Sequence, residues 1–194
     1  MNLKIITAPT VEPLSLTEAR LHVRATSTAE DTLITSLIKT TRQLAENFTN
    51  RALASATFEL IMDKFPCKIE LPMAPVESVT SIKYKDSDNV ETTWASSEYI
   101  FYNSEPAVVI PAYSKSFPSF NPYPIGAVKI RFVAGYKTTG TDPNLLIPEA
   151  IKQAMLLTIG SLYENREDII VGTIVAKLPL SAQALLYPYR IWSL

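Results

Sequence analysis

Apolar residues recur at helical spacing in two parts of the chain and alternate with polar ones in the stretch between. From Leu33 to Phe48 the apolar positions are Leu33, Ile34, Leu37, Ile38, Leu44, Ala45 and Phe48. Thr32, Thr35, Lys39, Arg42, Gln43 and Glu46 lie opposite. Wound at about 100° per residue, the apolar set forms one stripe, which predicts an amphipathic helix opened by Thr28-Ala-Glu-Asp31 and ending near Asn50-Arg51. A shorter helix precedes it, with Leu16, Ala19 and Val23 on one side. Ser15-Leu-Thr-Glu18 is its capping box: the serine hydroxyl and the glutamate carboxylate each satisfy a backbone N–H that the first turn leaves unpaired.

Between Ala54 and Gly135 the period shortens to two. Phe58, Leu60 and Met62 alternate with Thr57, Glu59 and Ile61; Ile69 and Leu71 flank Glu70; Thr80, Ile82 and Tyr84 alternate with Ser81, Lys83 and Lys85. Asp86-Ser-Asp-Asn89 reads as a turn before a strand at 90–94. Further strands are predicted at 99–102, 108–110 and 128–133. Short, closely spaced strands imply an antiparallel sheet, a small sandwich or a partial barrel. The segment 111–124 holds four prolines with Tyr113, Phe117, Phe120 and Tyr123. It is either a lid on its own sheet or a partner-binding surface.

Helical spacing returns at Pro148-Glu149, which suits a first helical turn. From Gln153 to Tyr163 eleven residues pass without a charge, before Glu164-Asn-Arg-Glu-Asp168. Ile151, Ala154, Met155, Ile159 and Leu162 share a face, Leu156 and Tyr163 widen it, and Leu157 points elsewhere. A stripe wider than about 100° needs cover on more than one side, from the chain's own core or from another copy. A bilayer is not that cover, since a span takes roughly 20 apolar residues. The stretch 169–178 reads as a loop with some extended structure, and 181–186 as a short helix. The fold class expected is α+β: a small bundle of N-terminal and C-terminal helices with an inserted antiparallel β subdomain. The expected parts are residues 1–53 (helical), 54–136 (β) and 137–194 (helices and a docking tail).

Composition narrows the chemistry. A formal net charge of −1 gives no global attraction to nucleic acid or to an anionic membrane, although a local basic patch stays open. Basic residues are scattered along the chain, Lys83 and Lys85 being the densest strand pair. Cys67 is the only cysteine, which excludes an intrachain disulfide and a multi-cysteine zinc site, and it reads as a small filler at a strand start. His22, the only histidine, sits in a short amphipathic segment and reads as a surface or half-buried helix residue rather than a catalytic relay. Five glycines form no phosphate loop, and Asp86/Asp88 lack the glycine and closing glutamate of a calcium loop. No catalytic residue, metal site or cofactor is expected, so the chain reads as a non-enzyme. The N-terminal apolar stretch is too short for a signal peptide, which places synthesis in a reducing cytoplasm.

Several segments, in order, resemble the head–tail connector (head-completion adaptor) proteins of tailed bacteriophages, in the long form carrying a β insertion. They are Pro13-Leu-Ser-Leu-Thr-Glu-Ala-Arg20, Ala45-Glu-Asn-Phe-Thr-Asn-Arg-Ala-Leu53, Ile69-Glu-Leu-Pro72 with Val76-Glu-Ser-Val-Thr-Ser-Ile82, Val128-Lys-Ile-Arg-Phe-Val-Ala-Gly-Tyr136, Ile147-Pro-Glu-Ala-Ile-Lys-Gln-Ala154, Leu162-Tyr-Glu-Asn-Arg-Glu167 and Ala184-Leu-Leu-Tyr-Pro-Tyr-Arg190. Asn50 stands where many relatives have glycine before the arginine, and asparagine also tolerates a left-handed cap.

The resemblance implies a structural virion protein at the head–tail junction, made in the host bacterial cytoplasm. Copies would form a ring beneath the portal protein, extend its channel and dock a tail-side completion or terminator protein, with DNA as passing cargo. On this reading Met155, Leu156, Ile159, Tyr163, Glu164, Arg166 and Glu167 make the subunit contact. Leu186, Tyr187, Tyr189, Arg190 and Trp192 dock on the portal, on a tail that either reaches out or folds back. Near-neutral charge would suit a wall along which DNA slides. The competing readings are a monomeric β-sheet module binding a peptide or carbohydrate, and an accessory DNA-packaging factor.

Overall fold

The computed structural model describes residues 1–165 and 178–192. The chain divides into two compact units, one of Met1–Thr10 with Ala54–Tyr136, the other of Val11–Leu53 with Lys137–Leu194.

The first unit is built from strands β1 (Asn2–Thr7), β2 (Ala56–Met62), β3 (Ile69–Leu71), β4 (Val76–Lys85), β5 (Glu91–Trp94), β6 (Tyr99–Tyr102), β7 (Ala107–Pro111) and β8 (Val128–Ala134). They form two antiparallel sheets, ordered β1-β2-β8-β4-β5 and β3-β7-β6. The alternation read from sequence sets the buried face: Phe58 and Leu60 on β2, Ile130 and Phe132 on β8, Ile82 on β4 and Trp94 on β5 are all buried. Phe58 and Phe132 stack with ring centroids 5.7 Å apart. Each such side chain contributes roughly 1.5–3 kcal/mol through burial.

The first ten residues correct the expected boundaries. Residues 1–53 are not wholly helical, because β1 pairs with β2 and sets Leu3 opposite Leu60 and Ile5 opposite Phe58. Its partner is more than fifty residues away, and adjacent Ile5 and Ile6 break the alternation that would reveal a strand.

The proline-rich segment closes over its own sheet. Phe65 stacks on Phe117 at 5.2 Å and meets Phe120 at 5.9 Å, while Tyr84 lies 4.8 Å from Phe120 and Trp94 5.4 Å from Phe117. Tyr113, at the tip, stands almost fully in solvent, at 93% exposure. Cys67 is exposed, not a core filler. It lies in the irregular run ahead of β3, where nothing closes over it.

The second unit holds α1 (Leu16–Val23), α2 (Asp31–Thr49), α3 (Glu149–Glu164) and α4 (Leu180–Leu186). Ser15 Oγ accepts from the Glu18 N–H at 3.1 Å, and Glu18 Oε2 accepts from the Ser15 N–H at 2.8 Å. Replacing Ser15 with alanine is expected to lower the unfolding free energy by about 1 kcal/mol, readable by urea titration. The Ser15 hydroxyl and backbone N–H hold the Glu18 carboxyl below its usual range. That contribution is therefore present above the ordinary carboxylate pKa and is lost as pH falls through the depressed one.

A 3-10 turn at Thr28–Glu30, capped by Ser27, leads into α2, so the α-helix proper starts at Asp31. Asn50 ends it in the left-handed conformation at φ 56°, as its residue type allows. Pro148, at φ −64°, occupies the cap position just before α3. Ile34, Ile38 and Ala45 of the expected stripe are buried, and Leu33 is 37% exposed.

Arg42 departs from the expected polar face. It lies buried between two carboxylates, with Nε donating to Glu12 at 2.7 Å and a terminal nitrogen donating to Glu46 at 2.7 Å. Glu46 also accepts from the Leu53 N–H at 3.0 Å. Burial pushes the Glu46 carboxyl above its usual range.

Candidate assembly surfaces

Helix α3 is covered chiefly by its own unit. It packs against α1, α2 and α4, and Ile151, Ala154, Met155, Thr158 and Ile159 are buried there. Gly160 provides the close approach on one side, where the His22 ring of α1 lies 3.3 Å from the position a Cβ would take. The wide apolar face therefore meets three helices of the same chain and does not demand a neighbour.

This revises the expected subunit contact. Met155 is 1% exposed and Ile159 0%, so neither is available to another copy, and both belong to the core. Tyr163 is half-buried and its hydroxyl donates to Glu30, an internal tie to the turn before α2. Leu156, Leu157 and Leu162 are half-buried, and Glu164 is exposed at the helix end. Arg166 and Glu167, with the segment through residue 177, lie outside the described residues.

The C-terminal segment folds back on α2. The Ile191 N–H donates to the Thr49 carbonyl at 2.8 Å, Asn50 Nδ2 donates to the Ile191 carbonyl at 2.8 Å, and Arg51 Nε donates to the Tyr189 carbonyl. The Arg190 guanidinium sits 4.2 Å from the Trp192 ring centroid and 5.4 Å from that of Phe48. Leu186 is 1% exposed and is a core residue rather than a docking one. Tyr187 and Trp192 remain 58% and 59% exposed, their rings edge to face at 6.0 Å, with Tyr189 and Arg190 half-buried beside them. The tail is thus a fixed aromatic platform and not a free arm. The helix-capping Asn50 and the buried Arg51 hold it there, a role that sequence reasoning missed.

Sequence scattering of the basic residues does not survive folding. Strand register brings Lys4, Lys83, Lys85, Lys129 and Arg131 onto the polar face of the five-stranded sheet. No helix among the described residues is long and apolar enough to cross a membrane, and no group of three acidic, histidine or cysteine side chains there is placed to hold a metal ion.

Comparison with known proteins gives this α+β architecture a family. The model of the phage gp6-like head–tail connector proteins matches residues 13–112, and the chain belongs to that family. Its fold is similar to a chain from the neck of an empty gene transfer agent (GTA) particle, computed with C6 symmetry: TM-score 0.80, 26% identity, 100% of this chain and 97% of that one covered. A chain of the native GTA virion matches at TM-score 0.78 and 27% identity, and one from the native neck computed with C12 symmetry at 0.76 and 26%, with the same coverage. No curated protein sequence matches. The chain is a structural connector protein of a phage-like virion.

Proposed function

We propose that copies of this chain form a closed ring at the head–tail junction, seated on the portal and continuing its channel toward the tail. The observation that carries this reading is likeness over the whole chain to neck components of particles with C6 and C12 symmetry. A ring compatible with both symmetries has a multiple of twelve copies, and twelve is the smallest. Cyclic closure needs two different faces on each subunit. The half-buried Leu156, Leu157 and Leu162 with the exposed Glu164 supply one candidate face.

The portal contact is assigned to Tyr187 and Trp192, with Arg190 holding the tryptophan. Tyrosine, tryptophan and arginine are the residue types that most often dominate interface energies. Replacing Trp192 with alanine is expected to weaken co-sedimentation of the chain with the portal ring at least about tenfold while leaving its folding intact. Binding equal to wild type would move the docking surface elsewhere. Light scattering over a concentration range separates this reading from a monomeric module for peptide or carbohydrate: no assembly, alone or on the portal, would favour the module.

A further inference from the structure

The polar face of the five-stranded sheet gathers more positive charge than the chain's net charge of −1 suggests. Lys4 stands opposite Glu59, Glu59 opposite Arg131, Lys129 opposite Lys83, and Lys85 opposite Glu91. Two carboxylates thus face five cations. Glu77, in the bulge at the start of β4, would not reverse the sign. Arg131 pairs with Glu59 at 2.9 Å, and Glu91 is shared by Lys83 at 2.8 Å and Lys129 at 3.4 Å. These cations keep 36–45% of their side chains in solvent around a small concavity that also includes Ser81. Lys4 and Lys85 have no carboxylate within ion-pair distance among the described residues.

We infer that this face lies against the phosphodiester backbone of duplex DNA, without sequence readout. The lysines and Arg131 would meet phosphates, and Glu59 and Glu91 would hold the same cations when phosphate is absent. The residue types favour this partner over a protein. Protein interfaces are enriched in aromatic anchors and depleted in lysine, whereas this face is lysine-rich and its strand aromatics point to the buried side; the one ring beside it, Tyr123 from the proline-rich segment, has its centroid 5.2 Å from the Lys85 ammonium. Neighbouring strands are about 4.8 Å apart and alternate residues on a strand about 6.7 Å, so the cations form a grid of point charges, and the concavity among them is lined by charged side chains and Ser81 with no ring for a base to stack on. At Lys83, Lys129 and Arg131 a phosphate must replace an internal carboxylate, so the grip is weak and reversible, as transit of DNA requires. The inference rests on the connector reading only for the presence of DNA.

The test is fluorescence anisotropy of a labelled 30-base-pair duplex with the full chain across a salt series. The expected Kd at low salt is on the order of 10⁻⁴ M, weakening as salt rises. K129Q/R131Q is expected to weaken binding at least about fivefold and to reduce the salt slope by about 0.9 for each phosphate no longer neutralised. E91Q, which frees Lys83 and Lys129, is expected to tighten binding about threefold, a gain that a misfolded variant would not produce. Absence of binding, unchanged affinity in both variants, or tighter binding of poly-glutamate of matched charge would overturn the inference. Ring formation on the portal is read by imaging and is independent of all three results.

Discussion

Gly135→Ala is expected to lower the unfolding free energy by more than about 4 kcal/mol, or to leave the chain insoluble, a loss in the range reserved for a specific structural conflict. Gly135 follows β8 at φ +124°, a conformation that side-chain-bearing residues rarely adopt. A Cβ there would lie 2.2 Å from the Ala54 carbonyl oxygen and 2.8 Å from the Ser55 nitrogen. Both are backbone atoms and cannot rotate away, and the Gly135 N–H is itself fixed by donation to the Pro75 carbonyl at 2.8 Å. Gly140→Ala is the control: its φ of +155° also disfavours a side chain, but a Cβ there meets nothing within 4 Å, so the loss should be smaller by the cost of the close approach. Equal losses at the two sites in urea titrations would refute the close approach as the cause.

Arg42→Met is expected to destabilise the helical unit by about 3–5 kcal/mol, because it removes one member of a buried ion cluster and leaves its carboxylates uncompensated. The Arg42 side chain is 11% exposed and that of Glu46 14%, so water replaces little of the missing attraction. Glu46 cannot turn away, since it also holds the Leu53 N–H.

Burial raises the Glu46 carboxyl, so the folded state takes up a proton before the unfolded state does. Its stability contribution grows as pH falls through that raised value and levels off below the ordinary carboxylate pKa. The difference between Arg42→Met and wild type should therefore shrink on mild acidification, the effect of Glu18 cancelling because both proteins share it. Combining Arg42→Met with Glu46→Gln, which keeps an acceptor for Leu53, should recover part of the loss. A difference that grows in acid would show that Glu46 is not the group left stranded.

What could be read from the sequence was local. The Ser15/Glu18 box, the Asn50 cap, the alternation of Phe58 and Leu60 and, Arg42 and Leu33 apart, the stripe of α2 depend on neighbours within a few residues, and each has the expected form. What escaped was set by partners distant in the chain. Glu12 lies thirty positions before Arg42, so the arginine looked like an ordinary surface charge. Strand β1 has its partner at residues 57–61.

The α3 residues show the limit most clearly. Periodicity identified Met155, Leu156 and Ile159 as apolar but not what covers them; α1, α2 and α4 take Met155 and Ile159 and leave Leu156 half-open. Leu186 followed the same course, since a segment ending in aromatics gave no sign of returning to α2. The basic sheet face was invisible for a further reason: Lys4, Lys83 and Lys129 are dispersed along the chain and become neighbours only through register.

Electron microscopy of the chain mixed with the portal ring of its particle addresses ring formation most directly. End-on views should show a closed annulus of twelve added subunits beneath the portal. Portal particles without added density, or with isolated copies that never close, would contradict the account.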